Sequence, residues 1–345
     1  MLRIPIKSIG KTFSIKKIGD GLCHFDFNKS NTITFDNTVG NKKKKQFYKK
    51  TTLLSLYAIK EALKSANIDI EAFDGNRIGL YTFEKESNNF CIEETYNKMI
   101  KLCCLRKVSE NTFSDSITRC YSLSDMFRLM PNLSNHLISS ELGINGSNKT
   151  YLTGEGTDLQ SIIDASNDIY HKKYDMVICG SSALNYSVLE KKQMYQYYNY
   201  EMQNKEFADS AIYAVLGKEA DSGSLFFRGG RSFYIKKDFS DTQKRHYFHS
   251  LFDSFYKSNL LSKENVDLII YVDQYMNEST KTEMEIMKEI FINAKVVQPE
   301  INDYNSINNG FLYLLLLYKN VYKFNNALLF QKNYNEIITF INITK

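Results

Sequence analysis

A short segment in the middle of the chain joins a β-prone run to a helical run through two glycines. Residues 149–153 are β-prone, and apolar residues recur at helical spacing over residues 159–170. Gly154 and Gly156 flank Glu155 and remove the Cβ clashes that a compressed turn would create. The segment therefore predicts a strand, a tight turn and a helix, with Glu155 at the tip of the turn.

The helix after this elbow has a recognisable start signal. Thr157 and Gln160 have the spacing of a capping box, which predicts the helix N-cap at about Thr157. Glu155 would then precede a helix N-terminus, where a negative charge is stabilised by ~0.3–1 kcal/mol, so we expect an ionised carboxylate. An elbow of this kind normally presents a thiolate or hydroxyl activated by a base. A carboxylate there is a poor acyl acceptor by comparison.

Composition excludes several classes of protein. The chain has 345 residues, of which 43% are hydrophobic, enough for a large core. The first residues lack a signal-type apolar region, and the longest apolar run, residues 311–318, is far shorter than the ~20 residues that span a bilayer. We therefore expect a cytoplasmic protein that does not enter a membrane. The net charge of +5 is too modest to indicate nucleic-acid binding.

Cysteine spacing gives no indication of a metal site. The six cysteines lack paired ligand spacing, and Cys103 and Cys104 have no histidine nearby. Neither a metal nor a cofactor is expected, and free thiols fit a reducing compartment. A lysine run at residues 42–45, followed by Lys49 and Lys50, has two interpretations: a solvated loop leading into a helix, or a docking surface for an acidic carrier protein.

The order of predicted elements repeats along the chain. Strands and helices alternate up to a buried strand at residues 174–180, and a second series of similar order opens with β-rich segments at residues 208–216 and 224–235. Strand, helix, strand implies parallel pairing in a covered sheet. We predict an N-terminal half, residues 1–205, carrying the elbow, and a C-terminal half, residues 206–345, in one compact unit.

Several segments in this order resemble a known family. They are residues 3–6 with Gly10, residues 58–68 with 76–80, residues 130–136 with 142–146, and residues 161–165 with 174–180. Together they resemble the β-ketoacyl synthase branch of the thiolase-like superfamily, from Arg3 to nearly the C-terminus. The resemblance implies an α/β thiolase-like fold, in which two similar βαβαβαββ halves form a five-layered αβαβα core.

The chain departs from that family where the chemistry occurs. Glu155 stands where active members carry cysteine. The first catalytic histidine belongs after the strand in residues 269–276, and the second before the helix that follows residues 302–310, yet neither segment contains one. The late glycine-rich gate is replaced by residues 331–336. The five histidines all lie outside the expected motifs and are interpreted as surface or packing residues. No catalytic residue is predicted.

The resemblance then implies a silent subunit. In type II polyketide systems, inactive chain-length factors pair with an active synthase and set the depth of its acyl tunnel. Glutamine is common there at the cysteine position, so Glu155 is a further departure. Such a subunit in a polyketide or aryl polyene pathway would form a heterodimer with an active β-ketoacyl synthase and contact an acyl carrier protein, although a homodimer stays open. The strand before the elbow, with Tyr151 and Thr153, would pair across the dimer axis.

The tunnel floor would come from residues near that axis, for which the candidates are Tyr121, Met126, Phe127, Leu129 and Met130. The alternative interpretation is that they are ordinary core residues. Two other functions stay open: a divergent decarboxylase or acyltransferase that uses Glu155, and a non-enzymatic scaffold.

Overall fold

The computed structural model describes residues 3–19, 22–26, 28–39, 42–85, 130, 132–151, 158–184, 206–207, 209–218, 225–257, 266–273, 278–297, 304–305, 309–333 and 336–345. The strands are β1 (Ile4–Lys11), β2 (Ser14–Gly19), β3 (Leu22–Asp26), β4 (Ile78–Lys85), β5 (Asn148–Tyr151), β6 (Met176–Ala183), β7 (Glu206–Phe207), β8 (Ser210–Gly217), β9 (Leu225–Tyr234), β10 (Leu268–Asp273), β11 (Lys295–Val297), β12 (Tyr304–Asn305), β13 (Asn326–Lys332) and β14 (Ile337–Thr344). The helices are α1 (Asn28–Asn31), α2 (Phe35–Thr38), α3 (Lys50–Ser65), α4 (Leu133–Leu142), α5 (Gln160–Tyr170), α6 (Asp241–Lys257), α7 (Glu278–Ile290) and α8 (Asn309–Tyr318).

Ten of these strands form one hydrogen-bonded sheet in the order β11-β10-β13-β14-β9-β1-β8-β6-β4-β5. The sheet consists of two sets of five strands with the same internal order. If the strands of each set are numbered in chain order, their order in the sheet from the outer edge to the centre is third, second, fourth, fifth and first. In each set the fifth strand, β8 or β14, is antiparallel to its neighbours. The predicted repeat of two βαβαβαββ halves is confirmed.

The two sets join through β1 and β9. Residues 4–6 of β1 pair antiparallel with residues 225–227 of β9. β1 otherwise pairs with β8, and its register shifts between Ile6 and Ser8. The chain's first strand therefore lies at the centre of the sheet, where it holds the halves together.

Three apolar clusters show how the sheet is covered. One cluster lies between α3 and α4 and one face of the first set, and another between α6 and α7 and one face of the second set. The largest cluster contains α5, α8 and the opposite faces of both sets. Strand residues alternate between clusters, as in Leu80 and Tyr81 or Ile269 and Ile270, as a period of two requires. The layers are thus α, β, α, β, α, and the predicted five-layered core is confirmed.

The middle layer explains the most apolar run of the sequence. Residues 311–317 of α8 are all buried because this helix lies between two sheet faces. The run is therefore a core helix. Among the described residues, none of the helices combines the length and apolar character needed to cross a bilayer.

Close packing of α3 on β1 requires a glycine. A Cβ atom at Gly10 would lie 2.0 Å from the Ala58 carbonyl oxygen and 2.5 Å from the Ala62 nitrogen. Two residues earlier in β1, the Ser8 hydroxyl donates a 2.8 Å hydrogen bond to the Ala62 carbonyl oxygen. Gly10 thus lies inside β1 and allows the helix to approach the strand.

Two predictions about local structure are wrong. β8 closes the first set of strands and does not open the second series, because it pairs with β6 and β1. α5 begins at Gln160 with Leu159 as N-cap, later than the expected cap at Thr157. The Gln160 side chain bonds to Asp164 in the same helix and to Ser232 in β9. Thr157 itself lies outside the described residues, and the division at residues 205 and 206 stays a prediction.

Candidate functional site

The elbow is described on both sides of its turn. β5 ends at Tyr151 and α5 begins at Gln160, so the strand and helix predicted around the turn are present. Thr153, Gly154, Glu155 and Gly156 lie outside the described residues, and their geometry and roles stay predictions.

Asp158 is the first described residue after the elbow and is fully buried. Its Oδ2 accepts a 3.1 Å hydrogen bond from the backbone N–H of Phe311, in the first turn of α8. A helix N-terminus presents unpaired N–H groups and favours a carboxylate there. The elbow helix is thereby attached to the start of α8, the segment in which the family resemblance expects a catalytic histidine.

Gln331 brings a third segment to the same point. A Cβ atom at Gly310 would lie 2.6 Å from Asp158 Oδ1 and 2.7 Å from Gln331 Oε1, so both oxygens press on the glycine. Gln331 belongs to β13 and is in register with Val272 near the end of β10. Gln331, at the start of the segment that replaces the gate, and Gly310, at the end of the segment expected to carry the second histidine, therefore lie beside Asp158.

The pKa of Asp158 is unusual for a carboxyl group. Burial raises the pKa to about 6, although the hydrogen bond from Phe311 acts in the opposite direction. Among the described residues, neither Asp158 Oδ1 nor Gln331 Oε1 accepts a hydrogen bond. A proton on Asp158 would supply a donor at this junction. The pKa of this carboxyl group therefore lies closer to neutrality than that of an ordinary aspartate.

A buried ion cluster fixes the end of β13. Lys332 Nζ lies 2.7 Å from Glu283 Oε1 and 2.8 Å from Glu336 Oε2, and its side chain is only 2% exposed. The Tyr271 hydroxyl donates a hydrogen bond to Glu283 Oε2. Burial opposes the charge on Lys332, but Glu283 and Glu336 outweigh it and raise the pKa of the ammonium group. Lys332 is therefore a cation held between carboxylates and not a free amine nucleophile.

The side chains of four histidines and one cysteine are described. His136, His171, His246 and His249 are exposed, and His24 lies in β3, where only the backbone is described. Cys179 is buried in β6, and burial raises the pKa of its thiol. No group of three potential metal ligands occurs within the ranges given above.

The strand before the elbow is bound to the elbow helix. The Tyr151 hydroxyl donates a 2.7 Å hydrogen bond to Asp164, and Lys149 Nζ donates a 2.9 Å hydrogen bond to Asp168.

Of the candidates for the tunnel floor, Met130 is described, and its side chain is 48% exposed. The other tunnel candidates, Tyr121, Met126, Phe127 and Leu129, lie outside the described residues, so the predicted tunnel floor stays a prediction.

Sequence reasoning missed Asp158, Gln331, Lys332 and Glu283. An acidic residue after a glycine turn is typical of an exposed first helical turn, and the partners of Asp158 lie far away in the sequence. The one available signal is Gly310, since a glycine near a helix start indicates a close approach.

Comparison with known proteins agrees with the resemblance. Residues 25–204 match the family model described as Beta-ketoacyl synthase, N-terminal domain. A search of curated proteins finds no match. Among solved structures, the chain is similar to one in a complex of a type II PKS acyl-carrier protein with its ketosynthase bound to the hexaketide, at 14% identity and a TM-score of 0.71, covering 100% of this chain and 99% of that chain.

Two further structures are similar over the whole chain. One is the ishigamide ketosynthase/chain length factor, at 9% identity and a TM-score of 0.72, covering 100% of this chain and 99% of that chain. The other is a beta-ketoacyl synthase from Burkholderia phymatum STM815, at 10% identity and a TM-score of 0.69, covering 100% of both chains. At these identities the likeness concerns the fold.

The paired βαβαβαββ halves in five layers define a thiolase-like α/β protein. Because the family model matches more than half of the sequence, the chain belongs to the β-ketoacyl synthase family.

Proposed function

We propose that this chain is a catalytically silent ketosynthase-like subunit, a chain-length factor. It pairs with an active β-ketoacyl synthase and shapes the acyl tunnel of that synthase in polyketide or aryl polyene biosynthesis. An acyl carrier protein that delivers the growing chain is the further partner. Family membership and the fold shared with a ketosynthase/chain length factor structure support the proposal.

One observation carries the proposal. Asp158 just after the elbow, Gly310 at the end of the segment expected to carry the second histidine, and Gln331 of the gate segment lie together, and the family cysteine is replaced by Glu155. Condensation needs a nucleophile that holds the acyl chain and a donor that stabilises an enolate oxygen. Carboxyl and amide groups at this junction supply neither a thiolate nor an imidazole.

An anion at Glu155 would also oppose the chemistry directly. A second negative charge about 4 Å away would be disfavoured by about 4 kcal/mol at an effective dielectric constant near 20. An enolate formed beside the elbow would meet this repulsion. Such a subunit therefore contributes to the shape of the tunnel and carries out no chemical step.

Activity assays test whether the chain is catalytically silent. The purified chain, incubated alone with malonyl-carrier protein, is expected to release no carbon dioxide and to form no acyl-enzyme. Glu155→Cys is expected to restore no condensation by the chain alone, because the histidines are still missing. Carbon dioxide release that disappears in Glu155→Ala would instead favour the decarboxylase or acyltransferase alternative.

Co-expression tests the pairing and the tunnel. Expression with the synthase encoded beside it is expected to give a stable heterodimer that makes a product of defined length. Phe127→Ala is expected to lengthen that product if this side chain forms part of the tunnel floor, whereas Ile292→Ala, at a side chain that is 85% exposed, leaves it unchanged. A stable monomer without affinity for any synthase would count against the proposal and favour a non-enzymatic scaffold.

A further inference from the structure

β5 lies at one edge of the ten-stranded sheet and pairs there with β4. Its other backbone side has no strand neighbour among the described residues. An edge strand presents N–H and C=O groups that can pair with a strand of another chain, provided that the strand is held in an extended shape. β5 contains only four residues, Asn148–Tyr151, so its own sheet contacts give it little rigidity.

Side chains of α5 bind one face of this strand. Tyr151 bonds to Asp164 Oδ2 at 2.7 Å, and Lys149 bonds to Asp168 Oδ2 at 2.9 Å. Residues 149 and 151 point to the same side because side chains alternate along a strand. Asp164 and Asp168 are four residues apart and therefore share one face of the helix. The spacing of the two carboxylates matches the spacing of the two strand residues.

Each carboxylate is itself held from a second direction. Gln160 Nε2 donates a 2.8 Å hydrogen bond to Asp164 Oδ1, and Gln160 Oε1 accepts a 2.6 Å hydrogen bond from Ser232 in β9. Asp168 accepts a hydrogen bond from the Tyr81 hydroxyl in β4. The two aspartates thus connect β5 to both halves of the protein.

The charges favour this arrangement. Burial alone would raise the pKa of Asp168, but hydrogen bonds from Tyr81 and Lys149, together with the nearby charges of Lys149 and Lys173, outweigh it and lower the pKa. Lys149 Nζ also lies 4.3 Å from the centre of the Tyr81 ring. The carboxylate therefore stays ionised and keeps Lys149 directed toward the helix.

The opposite face of β5 is bound as well. Asn135 of α4 donates 2.7 Å and 2.8 Å hydrogen bonds to Thr150 Oγ1 and to the Lys149 carbonyl oxygen. This polar contact connects β5 to α4 on the other side of the sheet. It constrains the strand across the sheet, whereas the aspartates constrain it relative to the elbow helix.

We propose that Asp164 and Asp168 are positioning residues that preset β5 for pairing with the corresponding strand of an active β-ketoacyl synthase. This inference rests on the function proposed above, because only a paired subunit needs the strand preset. The aspartates act through Tyr151 and Lys149 and touch no reacting atom. The same helix follows the elbow, so the strand and the elbow are held by one element.

A double-mutant cycle tests the positioning in the purified chain. Hydrogen exchange of the amides in residues 148–151 is measured for Asp164→Ala, Asp168→Ala, Tyr151→Phe and the double variant of Asp164→Ala with Tyr151→Phe. Each single change is expected to accelerate exchange of β5 at least tenfold, and the double change adds little more because both remove one contact. Tyr151→Phe removes a single hydroxyl group and keeps the test informative if Asp164→Ala folds poorly.

The matched control is Asp175→Ala. Asp175 also pairs with cations, Arg77 and Lys218, but it does not contact β5. It is expected to leave the exchange of β5 unchanged and to combine additively with Tyr151→Phe. Unchanged exchange in the Asp164 and Asp168 variants, or fully additive effects, would overturn the positioning role.

Affinity for the co-expressed synthase is measured with the same variants. Asp164→Ala and Asp168→Ala are expected to weaken the complex at least tenfold, and Asp175→Ala to leave it unchanged. If β5 exchange rises but affinity stays the same, the strand is positioned for another purpose and the inference fails. If the unaltered chain binds no synthase, the proposed pairing itself is wrong, and the exchange data still decide whether the aspartates fix β5.

Discussion

The carboxylate of Asp158 accepts a hydrogen bond from the backbone N–H of Phe311, a residue 153 positions later in the chain. This contact joins the helix after the elbow to the central helix of the second half. Both helices lie in the middle layer, where each contacts strands of the two sets. The junction therefore links the halves at the point where the family resemblance expects chemistry.

Asp158→Asn is expected to remove a pH dependence of stability. The pKa of Asp158 is raised by burial to about 6 from an ordinary 3.8, so the folded chain binds the proton more tightly than the unfolded chain. The unfolding free energy of the wild type then falls as the pH rises from about 4 to about 6. The loss is at most about 3 kcal/mol, from ~1.4 kcal/mol per pKa unit.

Urea denaturation between pH 4 and pH 8 measures this effect. The asparagine variant is expected to match the wild type near pH 4 and to exceed it above pH 7, because an amide oxygen still accepts the bond from Phe311. Equal slopes in the two proteins over pH 4 to 6 would show that Asp158 does not titrate in this range.

Gly310→Ala is expected to destabilise the protein although alanine normally favours helices over glycine by ~1 kcal/mol. The new Cβ would lie 2.6 Å from Asp158 Oδ1 and 2.7 Å from Leu159 Cγ, so the elbow helix and α8 must separate. Overpacking of this kind costs about 1–3 kcal/mol. Thermal unfolding measures the loss, and Ser250→Ala, at an exposed position of α6, serves as the control. A stability gain in Gly310→Ala would contradict the close packing.

The sequence predicts those elements whose period is visible in a short window of residues. The strands β6 and β9 lie close to the predicted ranges 174–180 and 224–235, and α5 covers most of the helical pattern at residues 159–170. The three-residue strand β11 and the hairpin of β2 and β3 were not predicted, since short polar strands have no distinct period. β8 was assigned to the wrong series because proximity in sequence does not reveal which strand it pairs with.

The candidate site was predictable only in part. The elbow's flanking strand and helix follow from pattern, and the absence of cysteine and histidine from the family's segments is visible in the sequence. The partners of Asp158 and Lys332 are not visible in the sequence, because long-range packing brings them together. Gln160 illustrates the same limit, because its hydrogen bond to Ser232 in β9 spans 72 residues of sequence.

Asp175→Asn is expected to have a pH effect of opposite sign to that of Asp158→Asn. Hydrogen bonds from Arg77 and Lys218 lower the pKa of Asp175 to about 2, so its contribution to stability is present above pH 4 and disappears as the pH falls toward 2. Its side chain is 40% exposed, and solvent screening keeps the contribution below ~1 kcal/mol. Denaturation at pH 7 and in high salt measures it, and a loss above 2 kcal/mol, on the order of a buried pair, would contradict the surface assignment.

Lys332→Met is expected to lower the free energy of unfolding more than any of the other substitutions. The ammonium group lies between the buried carboxylates of Glu283 and Glu336, and its removal leaves them facing each other without a cation. Breaking a buried ion pair by removing one partner costs about 3–5 kcal/mol. Urea denaturation measures the loss, with Lys237→Met at an exposed position as the control.

A second substitution separates charge from packing at the same place. Adding Glu283→Gln to Lys332→Met removes one of the uncompensated charges and keeps the hydrogen-bonding partner of Tyr271. The double variant is therefore expected to be more stable than Lys332→Met alone, by about 1–3 kcal/mol, since contacting residues show coupling of this size. If the two changes simply add, Lys332 stabilises the turn between β13 and β14 through its aliphatic stem, and the ion cluster contributes little.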